Sequence, residues 1–523
     1  MDFKTDDLEA FKCLLTSWDS SAEPRQSADM ICEKLKQISS VDVICYLAVV
    51  RDVKWDISHT KSLCYCLTVG SEQWLKPAVD RYKESKEFQK HYWSVLGKTL
   101  WFSEIPELSD AEYYEYDKAD FNECAEKSAC TMRFCVTLFK LLMDLHEDRL
   151  LKDIMKHLGA YITVLIITNC ETAPWTSNSA IQMSEKLRDL LMNFYGCDCM
   201  ADLLKLCLEL DSAADTEQVL PNTLLQLTFN YLRPRVRKEK WKQNPSYMKC
   251  FVKCLCYIWL PDLGEYLDSV LPVSLTLVDD HMTQNKVLGL KCLSHIIRNT
   301  SRTELQWQCR ADVIYEAVKL QLYSKEVVLL ELAIPGMLSI LEVVEPYYKP
   351  VEPLELTPRK YDQIFSMLLF SAEMESLIAV RRTYTQHLGA FIARMSVAAV
   401  KHSRRFLRLV TAYLETYDGP EETSRLNTLE MLNTFITQAW PRIPHRVPAI
   451  VKTLLRLMYD VSLDSSLTPV SVKQELMKKA RCSLELLQCV APTQLNNCLN
   501  QMLEIETTPQ CVTIMKELLA PVS

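Results

Sequence analysis

The pattern of apolar and polar positions is clearest in residues 265–300, where it predicts two consecutive helices. Apolar side chains recur at helical spacing across residues 267–278 and form a single stripe. Asp279 and Asp280 then interrupt the pattern at a place suited to a turn and to capping the next helix. The second predicted helix, about residues 284–298, is apolar on two sides and leaves a narrow polar stripe. Such a helix needs one neighbour before it and another after it.

The same pair of helices resembles a HEAT repeat. Pro272 lies inside the first helix and is expected to bend it. Further along the chain, each predicted inner helix carries a basic residue near its start, and these residues are Lys286, Lys325, Arg381, Arg425 and Lys473. Their spacing scatters around the HEAT period of about 40–47 residues. The predicted fold is therefore all-α, a HEAT/armadillo-like α-solenoid of antiparallel helix pairs.

The sharpest predicted hairpin lies in residues 404–441. One helix is expected to end at Asp418, because Gly419 suits a left-handed C-terminal cap. Pro420 suits the first turn of the next helix. The two glutamates that follow would then oppose the positive end of that helix.

The predicted division of the chain is an N-terminal helical region, 1–240, and a C-terminal HEAT-like repeat region, 241–523. The basic loop at residues 233–242 marks this boundary. In the N-terminal region, residues 104–123 are acidic and contain a tyrosine cluster, which fits either a solvated interhelical loop or a docking segment. Pro174 should stop a helix, and Trp175 should cover its exposed end.

The amino-acid composition limits the possible fold classes and cellular locations. Only 9 of 523 residues are glycine, against an average of about 7%, which favours short-turned helices over sheets and phosphate-binding loops. No apolar run reaches the roughly 18 residues of a membrane span, and residues 161–169 are the best candidate. The acidic N-terminus has no signal-peptide core. The expected location is cytoplasmic and nuclear, without a membrane.

Cysteine spacing predicts no metal site. The 21 cysteines include no CxxC pair, and the CxC pairs at 64/66, 197/199 and 254/256 lack partners at zinc spacing. Cysteines at helical core positions are instead expected to be small buried hydrophobes, namely Cys250, Cys254, Cys292 and Cys482. A metal or acid–base site at His281 beside Asp280 is a weaker explanation than turn capping. No nucleotide-binding or hydrolase motif occurs, so no catalytic residue and no cofactor are predicted.

One charge pattern stands out. The net charge of −8 excludes a generally basic nucleic-acid binder, yet residues 376–414 contain no acidic residue. Four cations in this span fall at i, i+3, i+4 and i+7 and would form a basic ridge on one helix: Lys401, Arg404, Arg405 and Arg408. The ridge is either a solvated helix face or a dock for an acidic partner surface. Nucleic acid is disfavoured because no aromatic residues are interleaved. The candidate partner-binding residues are these four together with Arg381 and Arg382.

Several segments resemble a known family. DDHMTQNKVLGLKCLSHII (279–297), RRTYTQHL (381–388), YLETYDGPEE (413–422) and AWPRI (439–443) are similar to the Tel-two-interacting protein two family. APWT (173–176) and EKWKQNP (239–245) are similar more faintly. That family is the smallest subunit of the Triple T complex.

The resemblance implies a solenoid that joins two larger helical-solenoid subunits. It also implies joint action with heat-shock protein 90 and its co-chaperones in the maturation of phosphatidylinositol 3-kinase-related kinases, and hence a role in DNA-damage and mTOR signalling. Two alternatives are a nuclear-transport-type cargo receptor on a similar solenoid and a cryptic enzyme. The missing motifs argue against the enzyme.

Overall fold

The structure is a computed structural model that describes residues 39–49, 55–108, 116–121, 123–208, 223–345, 359–463 and 468–505. The regular structure of these residues is helical, apart from one isolated bridge between Cys207 and Thr223. The prediction of an all-α chain is confirmed. Two compact units divide between Trp259 and Leu260, so the basic loop at 233–242 lies within the first unit instead of marking the boundary.

The N-terminal unit is made of helices that pack in two rows. Its helices are α1 (Ser40–Val49), α2 (Ile57–Glu84), α3 (Lys86–Trp101), α4 (Cys124–Asp144), α5 (Asp148–Asn169), α6 (Asn178–Tyr195), α7 (Met200–Leu204), α8 (Leu224–Leu232) and α9 (Pro245–Cys256). Helices α2, α4 and α6 contact one another in sequence, while α5 contacts α3, α8 and α9. Trp175 is buried and donates its indole N–H to the carbonyl of Thr168 at 3.0 Å. The tryptophan therefore covers the end of α5, as predicted.

The C-terminal unit has the regular repeat predicted from the sequence. Its helices are α10 (Leu263–Val278), α11 (Thr283–Asn299), α12 (Arg302–Gln306), α13 (Arg310–Gln321), α14 (Val327–Val344), α15 (Lys360–Met374), α16 (Ile378–Met395), α17 (Ser403–Glu415), α18 (Thr423–Gln438), α19 (Val447–Leu463), α20 (Val470–Val490) and α21 (Pro492–Ile505). The inner helices are α11, α14, α16, α18 and α20. Consecutive members of this series contact each other. The five basic residues used to set the register lie in these helices or just before one of them, so the predicted register is confirmed.

The first helix pair follows the sequence pattern closely. Helix α11 contacts both α10 and α14, the two neighbours that its apolar sides require. Asp279 is the C-terminal cap of α10. Asp280 is buried, and its carboxylate accepts a 2.6 Å hydrogen bond from the Asn285 side chain at the start of α11. The aspartates therefore build this turn, as predicted, but neither is the N-cap of α11, which is Met282 without a side-chain hydrogen bond.

The absence of a membrane-length apolar segment needs correction. Helix α14, Val327–Val344, is long and apolar enough to cross a membrane by length and composition, whereas residues 161–169 are shorter. Half of α14 is buried inside the unit, where it contacts α11, α13 and α16. Burial on several sides makes a helix apolar nearly all round, so packing accounts for this composition.

Candidate protein-interaction site

The basic ridge is already paired within the fold. Lys401 lies on a short 3-10 helix, Ser396–His402, and the other three cations lie on α17. The carboxylate of Asp362 accepts from Lys401 Nζ at 3.0 Å, and Glu373 lies 3.4 Å from the guanidinium groups of Arg405 and Arg408. Both carboxylates come from α15, outside the acid-free span. The premise that the ridge is unpaired is therefore wrong for three cations. Of the four ridge cations, only Arg404 has no ion pair within the described part of the chain, and it is exposed.

The Asp362 carboxylate is held between two basic groups. It lies 2.9 Å from His402 Nε2 and is buried. Burial alone would raise the pKa of Asp362, but the hydrogen bonds from His402 and Lys401 outweigh burial and hold the pKa below its usual value. Because the folded-state pKa is lowered, ionised Asp362 stabilises the unit at pH values above its unfolded pKa. This stabilisation is lost as the pH falls through the folded-state pKa.

Asp362→Asn should therefore weaken the contact between α15 and the 3-10 helix Ser396–His402 at neutral pH only. We expect the free energy of unfolding to fall by about 1.5–3 kcal/mol near pH 7, the usual range for a hydrogen bond to a charged group. The difference from the wild type should shrink as the pH falls below about 4 and should disappear only below the lowered folded-state pKa, where Asp362 is protonated in both the folded and the unfolded state. Urea denaturation at both pH values measures this, and an equal loss at both would contradict the assignment.

Arg381 and Arg382 also serve the fold. The Arg381 guanidinium lies 3.9 Å from the centre of the Tyr413 ring, within the range of a cation–π contact. Arg382 donates to the Asp418 carboxylate at 3.1 Å, to the Asp418 carbonyl at 2.7 Å and to Glu421 at 2.9 Å. The resemblance segments 381–388 and 413–422 thus meet in space. The contacts that the structure shows for these two arginines are intramolecular.

The turn before α18 differs from its prediction. Helix α17 ends at Glu415, and α18 begins at Thr423, so Asp418 does not end one helix and Pro420 does not begin the next. Asp418 instead caps α18, because its carboxylate accepts from the backbone N–H of Ser424 at 2.7 Å. Gly419 has a φ of 88°, so its left-handed conformation is confirmed.

A surface that the sequence pattern did not reveal runs along one edge of the C-terminal unit. The inner helices α18 and α20 run in the same direction, since Glu430 and Asn433 of α18 contact Lys479 and Ser483 of α20 in register. The same direction is expected for each successive inner helix in a solenoid of antiparallel helix pairs. The turns from each outer helix to its inner helix must therefore lie along one edge. Large exposed apolar residues cluster at these turns: Leu320, Tyr323, Val328, Met374, Leu377, Ile378, Tyr417, Leu463 and Val470.

This apolar edge has the character of a protein-binding surface. Single exposed apolar residues are ordinary, but exposed apolar residues that recur at successive repeats are typical of an interface. The sequence pattern could not identify it, because an apolar residue next to a turn continues the core stripe of its helix. Only the exposed fraction, which is 65% for Tyr323 and 53% for Leu377, separates these residues from the core.

The described residues contain no group of three or more His, Cys, Asp or Glu side chains that could hold a metal ion.

Among the cysteines expected in the core, Cys250, Cys254 and Cys292 are buried. Cys482 is exposed, so the prediction that it is buried is wrong. Helix α20, which carries Cys482, contacts an inner helix on one side only, α18, within the described residues. Burial raises the pKa of Cys66 to about 12, so this thiol is protonated at neutral pH.

Sequence comparison finds named relatives. The chain is 32% identical to human TELO2-interacting protein 2 over 64% of this chain and 64% of that protein. It is 30% identical to the mouse protein of the same name, over 68% of this chain and 69% of that protein. The match with the human protein therefore spans less than two thirds of its length. No family model matches the chain.

Structural comparison finds distant helical neighbours. The karyopherin Kap95p, in its complex with RanGDP, covers 100% of this chain and is covered over 71% of its own length, at 11% identity and a TM-score of 0.42. Yeast importin-beta (Kap95p) covers 99%, is covered over 67%, and gives 10% identity and a TM-score of 0.41. At these scores the likeness carries no argument about function.

Proposed function

Because the chain belongs to the TELO2-interacting protein 2 family, we propose that it is a non-catalytic scaffold subunit of a Triple T-like complex. In this role it binds two larger helical-solenoid subunits. With the heat-shock protein 90 machinery, the complex supports maturation and stability of phosphatidylinositol 3-kinase-related kinases. Its expected place is the cytoplasm and the nucleus. The observation that carries the proposal is the identity to the mouse relative, whose name states that it interacts with TELO2.

The apolar edge supports the proposal as the contact for a large partner. Its residues lie at four successive turns of the C-terminal unit, so the surface is long. A partner that is itself an extended helical protein can cover a long, narrow apolar series better than a small globular protein can. Burial of such side chains contributes about 25 cal/mol for each Å² of apolar surface removed from water.

A cargo receptor for nuclear transport is the second candidate, and nothing in the molecule favours it. The karyopherin neighbours have TM-scores of only 0.42 and 0.41 at 11% and 10% identity, so they do not support it. The two candidates differ in their partners. A scaffold subunit has stable, large partners, whereas a transport receptor binds a small GTPase in a nucleotide-dependent manner.

Affinity purification of the tagged full chain separates the candidates. We expect stoichiometric recovery of two large helical proteins, independent of added guanine nucleotide. Tyr323→Asp combined with Leu377→Asp should reduce this recovery at least tenfold, because it places charge on the apolar edge. Both side chains are exposed, so the substitutions should leave the helical circular dichroism unchanged.

The matched control substitutes two exposed apolar residues at the opposite edge, where an inner helix is connected to the outer helix that follows it. Val397→Asp combined with Trp440→Asp should leave recovery unchanged. The basic ridge is tested in the same assay with Arg404→Glu, which breaks no described ion pair and should weaken recovery in low salt only. Equal recovery of all these variants would reject the surface, and recovery of a nucleotide-dependent small GTPase in place of large partners would reject the function.

A further inference from the structure

A basic turn connects α8 to α9 in the N-terminal unit. It spans residues 233–242, and four of its cations are exposed: Arg233, Arg237, Lys238 and Lys240. None of the four has an ion pair among the described residues. In this respect the basic turn differs from the basic ridge, whose cations are mostly paired with carboxylates of α15.

The basic turn is fixed in place by its own core residues. Val236 and Trp241 are buried. The backbone N–H of Trp241 donates to the Arg237 carbonyl at 2.9 Å, and the backbone N–H of Val236 donates to the Leu232 carbonyl at 3.1 Å. The cations therefore cannot separate freely. Closely spaced like charges repel one another, so a set of this kind is unfavourable until an anionic group lies beside it.

Arg235, in the middle of the same turn, shows how this site holds a carboxylate. Its guanidinium donates to Glu104 at 2.6 Å and lies 4.2 Å from the centre of the Tyr231 ring. The Tyr247 hydroxyl donates to the same Glu104 oxygen at 3.0 Å. Stacking and hydrogen bonding together fix the planar arginine, as is usual where a carboxylate is recognised.

The peptide that carries Glu104 lies along one side of the turn. The Leu108 N–H donates to the Gln243 carbonyl at 2.9 Å, and Asn244 donates to the Glu107 carboxylate at 3.4 Å. Glu104, Glu107 and Asn244 line a concavity of about 560 Å³ together with Lys240. Residues 104–108, the start of the acidic segment, are therefore docked onto the turn and do not form a solvated loop.

We infer that the exposed side of the basic turn is a docking surface for an extended, Asp/Glu-rich segment of a partner protein. The chain's own Glu104–Leu108 peptide binds the turn through a carboxylate and a backbone hydrogen bond. The four exposed cations, of which Lys240 lines the concavity beside that peptide, offer further positive charge to a second acidic segment. A nucleic acid fits less well. Arg235 already covers the Tyr231 ring, so this ring is not open to stack on a base, which single-stranded nucleic-acid sites require. This surface lies in the other unit from the apolar edge and does not depend on the proposed function.

The test uses the full chain and a fluorescein-labelled peptide of about ten glutamate residues, with fluorescence anisotropy as the readout. We expect saturable binding in low salt that weakens steadily as salt is added. Arg237→Glu combined with Lys238→Glu should weaken binding at least tenfold. Arg442→Glu combined with Arg446→Glu changes the net charge equally at two exposed cations of another surface and should have little effect. Circular dichroism should be the same for all three proteins.

Several results would overturn the inference. These are no saturable binding by the wild type, equal weakening by both double variants, and tighter binding of single-stranded DNA of equal charge that displaces the peptide. A wild type that binds the peptide only after Asp110, Glu112 and Glu115 are neutralised would assign the turn to the chain's own acidic segment. Lysine-rich and serine-rich peptides of the same length, which should not bind, control for the label.

Discussion

Gly289→Ala should loosen the first helix pair of the C-terminal unit by about 1–3 kcal/mol, the usual cost of overpacking. A Cβ at this position would lie 2.6 Å from the backbone nitrogen of Val278 and 2.9 Å from the carbonyl carbon of Leu277. Both atoms belong to the backbone of α10, so no side-chain rotation can relieve the clash, and the two helices must separate. Hydrogen exchange of the α10 and α11 amides measures the effect for this pair alone.

Gly389→Ala is the matched control. It also lies inside an inner helix, α16, but its Cβ would have its nearest neighbour at 3.8 Å, an ordinary contact with Met431. Alanine is more favourable than glycine in a helix interior by about 0.5–1 kcal/mol. This variant should therefore be slightly more stable than the wild type. If Gly289→Ala were also neutral or stabilising, the close approach of α10 and α11 would be disproved.

Asp418→Ala should cost about 2–3 kcal/mol. The change removes the cap of α18, worth about 0.5–2 kcal/mol, and leaves Arg382 without its buried carboxylate partner. Breaking a fully buried ion pair costs about 3–5 kcal/mol, but the Arg382 side chain is 29% exposed, so part of this cost is recovered by hydration. The midpoint of urea denaturation measures the loss of unfolding free energy. Hydrogen exchange of the α16 and α18 amides shows whether the loss is local to these helices.

Glu421→Ala removes the other carboxylate that contacts Arg382 and separates the two contributions. The Glu421 side chain is 73% exposed, and an exposed ion pair contributes about 0–1 kcal/mol. The variant should therefore unfold almost like the wild type. Equal losses for Asp418→Ala and Glu421→Ala would show that the stabilisation is a general charge effect and not a cap with a buried ion pair.

Local signals in the sequence predicted most of the repeat register. The two apolar sides of α11, the turn aspartates and the basic residues near inner-helix starts each follow from contacts within one helix pair. Gly419 was predictable for the same reason, since its left-handed conformation is a property of one residue. The family segments pointed correctly to the TELO2-interacting protein 2 family. The structure adds that the two arginines of 381–388 contact 413–422 inside the fold.

What the sequence determined by itself is the all-α class, the order of the inner helices and the absence of familiar catalytic motifs, because each depends on spacing of a few residues. The tertiary structure decided which charges are paired and which apolar residues are covered. Glu373 and Asp362 reach the basic ridge from α15, and Glu104 reaches Arg235 across 131 residues. Exposure and ion pairing depend on neighbours far away in the chain, so periodicity could predict neither the paired ridge, nor the unpaired cations of the basic turn, nor the apolar edge.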